Sequence, residues 1–233
     1  MPGVAHHVTQ RGNNRRTVFR SSGDRWLYLE LLGRQAQRNG TRILGYCLMT
    51  NHVHIVAVPE RADSLALTFG RAHSAYAQVL NASEDWSGHL WQNRFFSCPL
   101  DEFHLMSALR YVDLNPVRAG LVPEPWEWPW SSARAHVVPR SMDRVLDLGW
   151  EEHLGHWNFS EWRLALRIGL PAGECGDVRK ATLTGAPLGS QEFVEELERQ
   201  AGRRLRVFAR GRPQKKTAAA AAGAGAQSCL SED

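Results

Sequence analysis

The run TRILGYCLMTNHVHIVAVP, residues 41–59, restricts the fold more than any other part of the chain. It holds two β-rich stretches, 42–49 and 52–58, separated by Thr50 and Asn51. Asn51 suits a tight turn, so the run predicts a β-hairpin. Side chains alternate across a strand, which puts His52 and His54 on one face and Val53 and Ile55 on the other. Two imidazoles on one face can chelate a single ion. Such a pair also arises by chance in a chain with ten histidines, so it gains meaning only beside a third ligand or a reactive partner.

The surrounding periodicities extend the hairpin into a sheet. Residues 4–10 read as a first strand, followed by the donor-rich loop RGNNRR at 11–16. A helix is predicted over 24–39, with Asp24 as its cap, Trp26, Leu27, Leu31 and Leu32 at helical spacing, and Gly40 as its end. A second helix over 63–81 places Leu65, Phe69, Ala72, Tyr76 and Leu80 on one side. A fourth strand is expected near 94–99 and a third helix over 101–115, limited by Pro116. The order β-α-β-β-α-β plus a helix implies an α+β chain with a ferredoxin-like antiparallel sheet and helices on one face.

Beyond Leu121 the character changes. PEPWEWPWSSARAH reads as an irregular wrapping segment, 138–180 as short helical pieces, and 191–205 as an amphipathic helix. The alanine- and glycine-rich end has no means of burying a core. The expected division is a first domain over 1–136, a helical and basic extension over 137–213, and a disordered tail over 214–233.

Composition narrows the partners. No apolar run reaches membrane-spanning length and no signal-peptide pattern opens the chain, so a cytoplasmic, nucleoid-associated protein is expected. Four dispersed cysteines without a CxxC argue against a zinc ribbon or disulfide scaffold. Net charge is +4, but residues 1–42 hold eight arginines against Asp24 and Glu30, and residues 199–216 hold eight basic side chains and no acidic one. Arginine suits bidentate phosphate contacts, so a polyanion is the expected partner, although an inert basic surface would have the same composition.

RYVDLNPVRAGLV, residues 110–122, supplies the missing chemistry. Tyr111 and Asn115 stand at i and i+4, on one helix face. Asn115 offers an amide oxygen to a hard cation such as Mg²⁺ or Mn²⁺, and Tyr111 offers a phenol. A packing tyrosine and a helix-stopping Asn-Pro are the plain alternatives. Arg11, Asn13, Asn14 and Arg15 can hold phosphates or read a flanking base. In HLWQNRFF, Arg94 can meet a phosphate while Trp91 and Phe95 stack bases or simply pack. Arg118 lies just past the Tyr111 helix. Arg210 and Arg212 in ARGRPQKK fit insertion into a narrow minor groove or a polybasic tail that binds through counterion release. His73 and His104 flank the region as general-base candidates or as ordinary surface histidines.

Four blocks in order, PGVAHHVTQRGNNR, GYCLMTNHVHIVAVP, GHLWQNRFFSCPLDE and ALRYVDLNPVRAGLV, make residues 1–136 resemble the IS200-like single-tyrosine HUH transposases, closest to the REP-associated tyrosine branch. The resemblance implies a ferredoxin-like endonuclease in which His52, His54 and Asn115 bind Mg²⁺ or Mn²⁺. It implies that Tyr111 attacks single-stranded DNA, forms a 5′-phosphotyrosine and frees a 3′-hydroxyl. Hairpin-forming repetitive palindromes are the implied substrate, with a monomer favoured over a dimer. A non-catalytic nucleic-acid-binding regulator on the same fold is the main alternative, but the chain lacks the aromatic pattern of sheet-type RNA binders. A metal hydrolase using activated water is a third reading. Only the transposase gives Tyr111 a task.

Overall fold

The computed structural model describes residues 1–141, 143–147, 153 and 157–205. Arg210, Arg212 and the expected tail over 214–233 lie outside the described residues. Strands β1 (Ala5–Arg11), β2 (Thr41–Leu48), β3 (His52–Pro59) and β4 (Phe96–Leu100) form one sheet in the order β2-β3-β1-β4. Every neighbouring pair is antiparallel. Helix α1 (Ser22–Asn39) joins β1 to β2, and α2 (Ser64–Ser83) joins β3 to β4. This is the ferredoxin-like βαββαβ order.

Local chemistry sets the elements. Ser21, not Asp24, caps α1: its hydroxyl accepts from Asp24 N–H at 3.1 Å, and the Asp24 carboxylate accepts from Ser21 N–H at 3.0 Å. Asp24 is therefore the third helical residue of a reciprocal capping box. Trp26 is 58% exposed, so the buried stripe of α1 is instead Tyr28, Leu29, Leu32 and Ala36. Gly40, at φ 62°, ends the helix. The five apolar residues expected on α2 are all buried. Helices α1 and α2 pack side by side against the sheet face that carries Ile43 and Tyr46. Each fully buried side chain such as Phe69 or Leu32 contributes about 1.5–3 kcal/mol.

The chain continues through α3 (Glu102–Asp113), the single turn α4 (Asn115–Arg118), α5 (Ala133–Val137), α6 (Phe159–Ile168), α7 (Ala172–Thr184) and α8 (Gln191–Ala201). Of these, α3 and α7 pack on the sheet, α3 on the face opposite α1 and α2. Asp101 caps α3 through His104 N–H at 2.8 Å, and Asn158 and Glu161 form a capping box on α6. The helix expected over 101–115 breaks at Leu114, because Pro116 lies in the first turn of α4. The segment expected to be irregular forms α5 and also pairs with β2: Leu48 N–H donates to Trp130 O at 2.8 Å, and Ser132 N–H to Tyr46 O at 3.0 Å. On the other edge, Leu188 N–H donates to Pro99 O at 2.8 Å. Among the described residues no helix is long and apolar enough to cross a membrane.

Candidate active site

The hairpin positions the histidines. In the β1–β3 register Thr9 faces His54 and His7 faces Val56, so His7, His52 and His54 share one side of the sheet. The His52 and His54 ring centroids are 5.0 Å apart, and His7 stacks on His54 at 5.1 Å. Tyr111 packs edge-on against His54 at 5.6 Å and His7 at 5.9 Å. Helix α3 comes this close because Gly45 has no side chain: a Cβ there would lie 2.8 Å from Leu109 Cδ2.

The break at Leu114 preserves the relation between Tyr111 and Asn115. Leu114 stays in the right-handed helical region, and Asn115 Nδ2 donates to Tyr111 O at 3.1 Å. That bond turns the amide so that Oδ1 faces away, with no donor among the described residues. The Tyr111 hydroxyl likewise makes no hydrogen bond with a described residue. The Arg118 guanidinium lies 4.4 Å from the Tyr111 ring centroid. On the far side of α3, the fully buried Asp113 accepts from His136 Nδ1 at 2.8 Å and Trp162 Nε1 at 3.1 Å. His136 Nε2 lies 3.0 Å from Leu44 O. Burial alone lowers the His136 pKa, but the Asp113 charge and these hydrogen bonds outweigh it and leave it raised. This ionic staple fixes the end of α3 that carries Tyr111.

The strand histidines behave in the opposite way. Burial, then the nearby Arg11 charge, lowers His52 to about 4. Burial first, then the neighbouring His7, His52, Arg11 and Arg118, holds His54 well below its usual value. Both rings are neutral at pH 7, as metal ligation requires. His52 Nδ1 donates to Asn51 Oδ1 at 2.6 Å, while Asn51 Nδ2 donates to Arg15 O at 3.0 Å. Asn51 is thus fixed as the acceptor, and His52 Nε2 keeps the lone pair. Among the described residues no three His, Cys, Asp or Glu side chains are grouped as metal ligands. The histidine pair therefore needs an oxygen of another type. Asn115, one helical turn from Tyr111, carries an amide oxygen of the type such a pair would need, and an N,N,O set would suit Mn²⁺ or Mg²⁺.

The expected DNA-contacting residues fall into groups. Asn13 N–H donates to Leu90 O at 2.8 Å and Gln92 N–H to Arg11 O at 2.9 Å, which brings the loops around 11–16 and 89–94 together. Arg11, Asn14, Arg15 and Arg94 are exposed there, and Asn13 is half-buried. Gly12 permits this loop, since a Cβ would lie 2.4 Å from the Arg16 carbonyl oxygen. Arg118 is exposed beside Tyr111. Trp91 is instead a core residue whose Nε1 donates to His73 O at 3.0 Å, and Phe95 packs on Phe69 at 5.2 Å. Packing explains both aromatics. His73 is no surface histidine: it is buried on α2, beside Tyr28, Phe69 and Trp91, and burial lowers it to about 3. The His104 ring is held by Asp101, the cap of α3, through Nδ1 at 2.7 Å from the carboxylate. Burial raises the thiol pKa of Cys47 well above normal and that of Cys98 to about 12, as expected of packed cysteines.

Three residues at the site have no obvious sequence signal. His7 sits in AHHV, and only the strand register reveals that it meets His54. Asn51 reads as a turn residue, yet it orients His52. Thr182 lies on α7, and its Oγ1 is 2.8 Å from His7 Nδ1.

Comparisons with known proteins bear on the first half of the chain and on the fold. Residues 2–115 match the family described as "Transposase IS200 like". Over 117 residues the chain is 27% identical to a Haemophilus influenzae protein assigned to the REP-associated tyrosine transposases. That alignment takes in 44% of this chain and 66% of the relative, so the chain spans a little under two thirds of that protein. The solved structure of a REP-associated tyrosine transposase bound to a REP hairpin superposes with a TM-score of 0.53. It covers 63% of this chain and 87% of that one at 17% identity, and at that identity it supports the fold alone. The family match runs from the first strand through the histidine hairpin to Asn115, so residues 2–115, just under half of the chain, are similar to the IS200-like transposases, and the curated likeness is to the REP-associated tyrosine branch.

Proposed function

We propose that the protein nicks and rejoins single-stranded DNA through Tyr111, on hairpin-forming repetitive palindromes, with Mg²⁺ or Mn²⁺ held by His52, His54 and Asn115. The observation that carries this reading is the nearness of groups that have no hydrogen-bond partner among the described residues. The rings of His52, His54 and Tyr111 lie side by side on one sheet face, and Asn115 is bonded to the Tyr111 carbonyl one helical turn further on. Buried polar groups are normally paired, so a cluster left open is suited to an external ligand.

The Tyr111 oxygen attacks the phosphorus of a backbone phosphodiester. The P–O3′ bond breaks, the 3′ oxygen leaves with a proton as a hydroxyl, and the phosphate stays on Tyr111 as a 5′-phosphotyrosine. Attack by a 3′-hydroxyl on that phosphotyrosine reverses the step and restores the phenol. At a pKa of about 10 a free tyrosine is about 0.1% phenolate at pH 7, so the reaction needs added positive charge. His52, His54 and Asn115 would hold the divalent ion, which when bound would supply that charge as a Lewis acid toward the phosphate. Arg118 positions and screens the Tyr111 ring. Arg11, Asn13, Asn14, Arg15 and Arg94 receive the strand beside the site, and Arg210 and Arg212 add sequence-independent affinity. In this reading 1–136 is the catalytic domain and the described helices that follow it are its support. The protein acts as a monomer on the nucleoid.

The test is a denaturing gel with a labelled single-stranded hairpin taken from DNA flanking the gene, plus Mn²⁺. A covalent band that requires metal and vanishes in Tyr111→Phe and His52→Ala is the expected result. Hairpin binding without any covalent band across several substrates and both metals would make the protein a DNA-binding regulator instead.

A further inference from the structure

Helix α7 lies outside the family-matched segment, yet it reaches the histidine cluster through one hydrogen bond. The Thr182 hydroxyl has a single proton. It lies 2.6 Å from Val178 O, which can only accept, so that proton is committed there. Toward His7 Nδ1, at 2.8 Å, the same oxygen can then only accept. His7 must carry its proton on Nδ1. A neutral imidazole has one N–H, so His7 Nε2 is bare. The 3.0 Å contact between His7 Nε2 and His54 Nδ1 therefore requires the proton to be on His54 Nδ1. His54 is left with its lone pair on Nε2.

We propose that Thr182 and His7 form a hydrogen-bond relay that fixes the tautomer of His54, so that Nε2 is the atom offered for metal ligation. His7 and Thr182 act as positioning residues. Asn51 does for His52 what His7 does for His54, and the two strand histidines present the same nitrogen. The metal role rests on the reading of His52 and His54 proposed above; the tautomer does not. Without the Thr182 hydroxyl, His7 loses the acceptor for Nδ1–H and is free to carry its proton on Nε2. It would then face His54 Nδ1–H donor to donor, and His54 would be driven to protonate the ligating nitrogen.

Two measurements on the full chain decide the matter. Two-bond ¹H–¹⁵N NMR of the histidine rings, without metal or DNA, should find both His7 and His54 as Nδ1–H tautomers. A His54 carrying Nε2–H overturns the relay, whether or not the protein nicks DNA. Calorimetric Mn²⁺ titration should show about tenfold weaker binding in Thr182→Val, the order found when the outer partner of a ligating histidine is lost. Thr182→Ser should restore wild-type affinity. Equal Mn²⁺ affinity in wild type and Thr182→Val removes the relay's role in ligation, and a wild type that binds no Mn²⁺ overturns that role together with the metal site. A wild type with both expected tautomers and Mn²⁺ binding, but no covalent band on hairpin DNA, leaves the relay standing and sinks the nicking reaction.

Discussion

Each face of the sheet carries a histidine in contact with a tyrosine, and the two pairs have opposite fates. Under α1 and α2, Tyr28 OH and His73 Nε2 lie 2.9 Å apart with stacked rings, wrapped by Phe69, Tyr76 and Trp91. Burial raises the Tyr28 pKa and lowers that of His73, so each stays neutral and satisfies the other. Under α3, His54 and Tyr111 touch through their rings, while the phenol oxygen and His54 Nε2 have no hydrogen-bond partner among the described residues. Residue type does not separate core from site here. The destination of the hydrogen bonds does.

The strongest way to break this contrast is a pair of conservative changes. Tyr111→Phe should abolish the covalent DNA adduct on a denaturing gel. Tyr28→Phe should retain the adduct and lose about 1–3 kcal/mol in urea unfolding, because His73 is left short of a buried partner. An adduct that survives Tyr111→Phe and fails in Tyr28→Phe would reverse the assignment of the two faces.

Next in size is the staple behind the open face. Asp113→Ala leaves the protonated His136 buried without its counter-charge and should cost about 3–5 kcal/mol, read by chemical denaturation. A loss within error would mean that His136 is neutral in the folded protein. Its raised pKa also fixes a sign: the stabilisation is present below the unfolded value of about 6.5 and fades as pH rises through the folded value.

His73 gives the opposite slope. Its folded pKa of about 3 lies below the unfolded value, so its stabilisation is full above about pH 6.5 and is lost as pH falls toward the folded value. His73→Gln should remove about 1.4 kcal/mol per pH unit from the acid-side dependence between pH 6 and 4. An unchanged slope would show that His73 already titrates normally in the fold. The smallest effect concerns the rim. Arg118→Ala should reduce the slope of log affinity against log salt for single-stranded DNA by about 1, the loss of one phosphate contact. An unchanged slope would confine Arg118 to the Tyr111 ring.

Much of the scaffold was legible because periodicity is local. The apolar residues of α2, the hairpin and the shared face of His52 and His54 follow from alternation and helical spacing alone. Tyr111 and Asn115 were also within reach, since i and i+4 geometry survives the break at Leu114. The misreadings have physical causes. Trp26 has the hydrophobicity of a core residue but sits half a turn off the buried stripe. Asp24 looks like a cap because the residue that does the capping, Ser21, lies outside the apolar pattern. His7 and Thr182 were out of reach because their contact joins residues far apart in sequence, through a strand register and a helix that periodicity did not resolve.

The hydrogen bonds along the two sheet margins carry a final consequence. The outer backbone of β2 is occupied by Trp130 and Ser132, and that of β4 by Leu188. All three lie beyond residue 115, where the family match stops. A chain cut at that boundary would keep all four strands and Tyr111 but expose two bare ladders of amides and carbonyls. Such margins invite another copy to add its own strand, so the shortened protein should aggregate edge to edge. The later segment thus protects the fold from self-association, and an expression fragment designed on the family boundary alone would lose that protection.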